Sequence, residues 1–140
     1  MVKIDEDILR MIIKSKDIVL VASVSPKGIP NISPRYVLGI LDNEKLLFAD
    51  AYENKTFHNI GAWPKVSVAV FDKDAESGGY QLKGEVVEVT DTTLMSRAEA
   101  KLKQFGINLK PKKVWTLDVK EVYSLEPSEK SRYAISSYYS

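Results

Sequence analysis

The chain has 140 residues, 20 of them lysine or arginine and 19 aspartate or glutamate, with one histidine and no cysteine. That length fits one domain, residues 1–140, able to bury about two-thirds of its unfolded surface, and the missing thiols exclude a disulfide framework and a thiolate metal site. A net charge of +1 lacks the basic footprint of a duplex nucleic-acid binder, and apolar runs such as residues 18–22 are too short to span a bilayer.

The chain opens on MVKIDEDIL, acidic and without an apolar signal core, so a cytoplasmic protein is expected. Ile8, Leu9, Ile12 and Ile13 recur at helical spacing and predict a helix over 5–14. Acidic residues at its start and lysines at its end match the helix dipole. Residues 18–25 read as a strand, Ser25-Pro26-Lys27-Gly28 as a turn, and 29–41 as a second strand completing a hairpin. Asp42-Asn43-Glu44 is another turn, and 45–49 a short third strand. Residues 54–63 predict a short helix capped by Asn54 and ended by Gly61. A β-prone run over 65–71, a polar loop over 72–78 and a strand over 80–90 follow. Leu94, Ala98 and Leu102 stripe a helix over 91–105, closed by Gly106; a last strand covers 114–125, and 126–140 is a polar, tyrosine-bearing tail. Six strands and few helices, without βαβ alternation, point to an antiparallel barrel or sandwich.

Three stretches carry chemistry. Asn54-Lys55-Thr56 sits at a helix start, where free backbone N–H groups, an ammonium and a hydroxyl make a phosphate cradle; the same residues also fit an ordinary capped helix with its lysine and threonine in water. Pro30-Asn31-Ile32-Ser33-Pro34-Arg35-Tyr36 places two prolines in a strand, which must bulge or run along an edge. Its freed backbone groups and Arg35 suit a planar or phosphorylated ligand, or the segment is simply a blunted edge. Gly84, after Gln81, marks a bulge or a close backbone approach. No P-loop, GxGxxG or GxSxG motif occurs, His58 lacks a nucleophile partner, and no catalytic residue or metal ligand is assigned. Any redox chemistry would come from a cofactor. Trp63 and Trp115 read as packing residues.

The run GIPNISPRYVLGILDNEKLLFADAYENKTFHNIGAWPKVSVAVFD, followed by GGYQLKGEVVEV, resembles the pyridoxamine 5′-phosphate oxidase-like superfamily, over roughly residues 18–125. The resemblance implies a mainly β, six-stranded antiparallel split β-barrel of Greek-key type with two or three peripheral helices. It implies FMN as cofactor, with Ser33, Pro34, Arg35 and Tyr36 along the flavin ring. Ala49 and Asp50 would lie near the ring or ribityl chain, and Asn54, Lys55 and Thr56 would hold the phosphate. It further implies a homodimer with FMN at the subunit interface, Gln81 reaching the partner's flavin. The tail residues Lys130 to Tyr133 lack the arginine and histidine pattern that holds vitamin phosphate in the true oxidases. The expectation is therefore an FMN-dependent oxidoreductase or flavin reductase acting on another substrate. The alternatives are an FMN-carrying electron-transfer or storage protein, and a deazaflavin- or haem-binding relative.

Overall fold

The computed structural model describes residues 2–76 and 78–139. The first helix, α1 (Glu6–Lys14), starts where Asp5 accepts hydrogen bonds from the Asp7 and Ile8 amides, and it buries Ile8 and Ile12. The strands are β1 (Ile18–Val24), β2 (Pro30–Tyr36), β3 (Gly39–Leu41), β4 (Lys45–Asp50), β5 (Lys65–Phe71), β6 (Gly79–Glu88), β7 (Lys113–Ser124) and β8 (Ser136–Ser137). Two more helices, α2 (Lys55–Ala62) and α3 (Thr92–Gln104), interrupt them. This is the expected mainly β fold with three helices, but with eight strands among the described residues rather than six.

Two departures account for the count. The stretch read as one strand over 29–41 is β2 and β3, separated by Val37 and Leu38. The tail also contributes β8, which pairs with β7 at Glu121 and Val122. Two local readings also change. Gly61 does not end α2, which runs on to Ala62. Trp63 is half exposed, with Lys65 Nζ 5.2 Å from its ring, whereas Trp115 is fully buried as expected.

The strand order is β2-β1-β5-β6-β7-β4-β3. Laid flat at about 4.8 Å per strand, the two ends of that path would lie about 29 Å apart. Yet β2 and β3 occupy opposite ends and are joined by Val37 and Leu38 alone, a link that reaches about 11 Å at most. The sheet must therefore roll up. The linking residues hold both sides of the seam: the Val37 amide donates to the Asp17 carbonyl and the Leu38 amide to Leu47.

The rolled inner face holds the core. Trp115, Phe48, Leu46, Leu82, Leu117, Val19, Val21, Val68 and Val70 are essentially inaccessible, and the Phe48 and Trp115 rings stack 4.5 Å apart. A smaller cluster, Leu38, Leu47, Ala49, Ala98, Leu102 and Val114, seats α3 against the other side of β4. The β6–β7 register shifts between Lys83 and Gly84. A Cβ on Gly84 would lie 2.0 Å from the Asp118 carbonyl oxygen, so Gly84 marks both the bulge and the close approach. Gly84→Ala is expected to lower the unfolding free energy by about 3 kcal/mol, the upper range for overpacking. Urea denaturation measures this; a loss under about 0.5 kcal/mol, typical of an uninvolved surface site, would mean the two strands do not meet there.

Candidate functional site

Strand β2 alternates Pro30, Ile32, Pro34 and Tyr36 with Asn31, Ser33 and Arg35. It is an edge strand pairing with β1, Val19 opposite Arg35, Val21 opposite Ser33 and Ser23 opposite Asn31. Directly opposed residues share a face, and Val19, Val21 and Ser23 are buried. The polar set of β2 therefore points inward, and Ile32, 63% exposed, points out.

What the inward polar residues meet is the first turn of α2. Asn54 caps that helix by accepting from the Phe57 amide. Thr56 is buried, its Oγ1 accepting from Asn31 Nδ2 at 3.2 Å and lying 2.8 Å from Ser33 Oγ. One turn further, Asn59 Nδ2 donates to Ser23 Oγ inside the barrel. Polar side chains on β1 and β2 thus satisfy the helix that closes this end of the sheet.

Arg35 ties the corner to β4. Its Nε donates to Asp50 Oδ1 at 2.9 Å, Nη1 to Ser33 Oγ and the Pro34 carbonyl, and Nη2 to Asn54 Oδ1 at 3.2 Å. The Asp50 side chain is fully buried and that of Arg35 nearly so. The second Asp50 oxygen accepts from Trp115 Nε1 at 3.1 Å. A buried carboxylate is tolerated only with such partners. Beside the pair opens a cavity of about 170 Å³, lined by Pro34, Arg35, Tyr36, Ala49 to Tyr52, Asn54, Leu102 and Ile107. The Tyr36 ring stacks on Phe105, 4.2 Å away and tilted by 8°, which props up the α3 side of the cavity.

Proton counting gives the corner its chemistry. Arg35 has five N–H groups; four are engaged and one on Nη2 remains. Ser33 Oγ already accepts from Arg35, and Thr56 Oγ1 from Asn31. Whichever hydroxyl donates within their 2.8 Å contact, the other keeps a free proton. The Lys55 and Thr56 amides are first-turn donors that α2 itself does not satisfy. Lys55 is exposed, its ammonium without a carboxylate partner among the described residues. The network ends in donors, an arrangement that suits an anion carrying several oxygens.

Of the residues expected at the site, Pro34, Arg35, Tyr36, Ala49, Asp50 and Asn54 line the one cavity. Ser33 and Thr56 join it through Arg35. Lys55 stands on the same helical turn but does not line the cavity. Gln81 is not brought there. It faces Ala69 on β5 and Tyr123 on β7, and Ala69 in turn faces Leu20, which faces Pro34. That row lies on the outer side of the sheet. Asp50 lines the cavity with both carboxylate oxygens accepting from protein donors, Arg35 and Trp115. His58 is exposed, its ring edge on Phe57, and no group of three or more potential metal ligands occurs among the described residues. Tyr52 and Ile107 line the cavity although no stretch singled out in the sequence contains them; Asn31, read only as part of the broken strand, and Trp115, read as a packing residue, add their hydrogen bonds to Thr56 and Asp50. The only local signal was the polar alternation of β2, which marks Asn31 with Ser33 and Arg35.

The family model described as pyridoxamine 5′-phosphate oxidase matches residues 5–126. A protein of Methanocaldococcus jannaschii, MJ0282, is 31% identical over 127 residues, covering 89% of this chain and 83% of its own. Group A Streptococcus HupZ superposes with a TM-score of 0.75 at 23% identity, over 91% of this chain and 97% of that one. An FMN-binding protein from Syntrophomonas wolfei superposes at 0.70 and 16% identity, over 93% and 85%. The fold is also shared by a heme binding protein from Mycobacterium smegmatis (TM-score 0.64) and an F420 reductase (0.59). Matched along most of its length, with a rolled antiparallel sheet closed by α2, the chain belongs to the pyridoxamine 5′-phosphate oxidase-like split-barrel family.

Proposed function

We propose that the protein binds FMN and works as a flavin-dependent oxidoreductase. The observation that carries this reading is the donor-ended corner formed by Ser33, Arg35, Asn54, Lys55 and Thr56 beside a cavity with aromatic and aliphatic walls. A phosphate monoester supplies the oxygens those donors lack. Lys55 and the helix N-terminus add the positive potential that a dianion requires. The planar ring would lie toward Pro34, Tyr36, Ala49 and Ala51, where the cavity is apolar. A bound flavin supplies hydride or single-electron exchange, and the protein supplies orientation and electrostatics. Support also comes from the FMN-binding neighbour.

The cavity of one chain, about 170 Å³, is smaller than the roughly 300–1,000 Å³ of typical cofactor sites. We infer that a second copy completes it. The outer face of β2, β1 and β5 exposes Ile32, Ile18 and Phe71 at 63%, 40% and 55%, an apolar surface of the kind that marks an interface. Gln81 lies on this outer face, and in such a dimer it would be the residue that reaches the neighbour's cofactor.

A phosphate-bearing deazaflavin is the second reading, favoured by the F420 reductase neighbour; the same donors would hold its phosphoryl oxygens. Haem is not favoured, because His58 is an exposed, isolated imidazole.

Adding FMN to the purified protein is expected to shift and structure the flavin absorption bands, with binding at micromolar concentration. Unshifted bands would reject the reading, and a preference for deazaflavin would select the second one. Turnover of NADH or NADPH by the loaded protein distinguishes an oxidoreductase from a flavin carrier. Lys55→Ala should weaken FMN binding by about 1.5 kcal/mol, the low end for a charge-assisted hydrogen bond because the side chain is exposed. Unchanged affinity in titration calorimetry would remove Lys55 from the phosphate site. Ile32→Glu should convert a dimer to a monomer in light scattering and lower FMN affinity at least about tenfold, 1.4 kcal/mol. A monomeric wild type would sink the shared-site inference.

A further inference from the structure

We propose that Asp50 is a positioning residue, not a ligand contact: its buried carboxylate holds Arg35 so that the far edge of the guanidinium faces the first turn of α2. This rests on reading that corner as a phosphate site and deepens it.

The geometry leaves Asp50 little freedom. It ends β4, its side chain is fully buried, and its two oxygens each take one donor, Arg35 Nε at 2.9 Å and Trp115 Nε1 at 3.1 Å. Its backbone carbonyl accepts from the Lys112 amide at 2.8 Å. Trp115 is itself stacked on Phe48 in the core. The anchor for Arg35 is therefore fixed within the fully buried core. A guanidinium is planar with its donors in a rigid fork. With Nε held, Nη1 reaches Ser33 and the Pro34 carbonyl, and Nη2 reaches Asn54, the cap of α2. Nη2, with one further proton, is thus held beside the helix start before any ligand arrives, which lowers the ordering cost of binding.

Asp50 also carries a negative charge that repels a phosphate, so two effects compete. If orientation dominates, removing the charge weakens phosphate binding; if repulsion dominates, removing it strengthens binding. A purely structural ion pair would change stability and leave ligand discrimination alone.

FMN and riboflavin, which differ only in the phosphate, separate these cases when titrated by flavin fluorescence into wild type, Asp50→Asn, Arg35→Lys and the double variant. Asp50→Asn should raise the Kd for FMN about tenfold, the effect of about one charge-assisted hydrogen bond, and that for riboflavin less than about twofold. Arg35→Lys keeps the charge but loses the fork, and should show the same phosphate-selective loss; it also serves if Asp50→Asn fails to fold. The double variant should bind FMN no more weakly than the weaker single variant, because both act through one contact. FMN affinity that is unchanged or improved in Asp50→Asn, equal loss of both flavins, or an Arg35→Lys protein with the wild-type FMN preference would each overturn the positioning role. Wild type binding FMN no better than riboflavin would overturn the phosphate reading itself, and this role with it.

Discussion

The Arg35–Asp50 ion pair spans the seam of the rolled sheet. Arg35 stands on β2 at one end of the strand path, and Asp50 on β4, next to the other end. These strands share no backbone ladder, so the pair, the two-residue link at Val37 and Leu38, and α2 draw that side together. Burying a carboxylate and a guanidinium is costly unless geometry and additional hydrogen bonds compensate. Here each group has further partners: Trp115 for Asp50, and Ser33, Pro34 and Asn54 for Arg35. Because both residues also border the cavity, the same interaction that joins the seam shapes the candidate site.

The barrel is unevenly divided between apolar and polar interior. Around Trp115 and Phe48 it is apolar and fully buried; toward α2 it becomes a hydrogen-bonded layer of Ser23, Asn31, Ser33, Asn59 and Thr56. Among the described residues no buried side-chain nitrogen or oxygen lacks a partner. A satisfied polar layer is rigid, and rigidity is what an anion site requires of its donors. The counterpart is a sheet exterior carrying Ile18, Ile32 and Phe71. This face, opposite to the polar one, is where a second copy would sit, so one alternation along β2 serves both the candidate site and the candidate interface.

Family membership establishes the scaffold but not the reaction. Proteins sharing this fold are described as binding FMN or heme, or as an F420 reductase, so the ligand must be argued from the site itself. In this chain the site offers free donors at the start of α2 and no uncommitted carboxylate: the one at the cavity is bound to Arg35 and Trp115.

The local sequence was sufficient wherever a short-range rule decides the outcome. Asn54 caps α2 as its residue type predicts, because an oxygen side chain before a helical run takes its first amides; Asp5 and Asp91, read as first helical residues, are by the same rule the caps of α1 and α3. Pro30 and Pro34 lie on an edge strand because proline cannot donate into a ladder. The Asn54-Lys55-Thr56 turn was recognisable from residue type, and the family from the order of such pieces. Tertiary structure decided which face of each strand turns inward. On β2 the apolar residues go out and the polar ones in, because the register sets Arg35 and Ser33 opposite the buried Val19 and Val21. It also decided the break at Val37 and Leu38, just before Gly39, since rolling the sheet requires a crossing there. The union of Asp50 with Trp115, 65 positions away, was likewise invisible: side chains far apart in sequence meet only through the pairing of β4 with β7, and strand pairing is a non-local property that residue types along the chain do not encode one at a time.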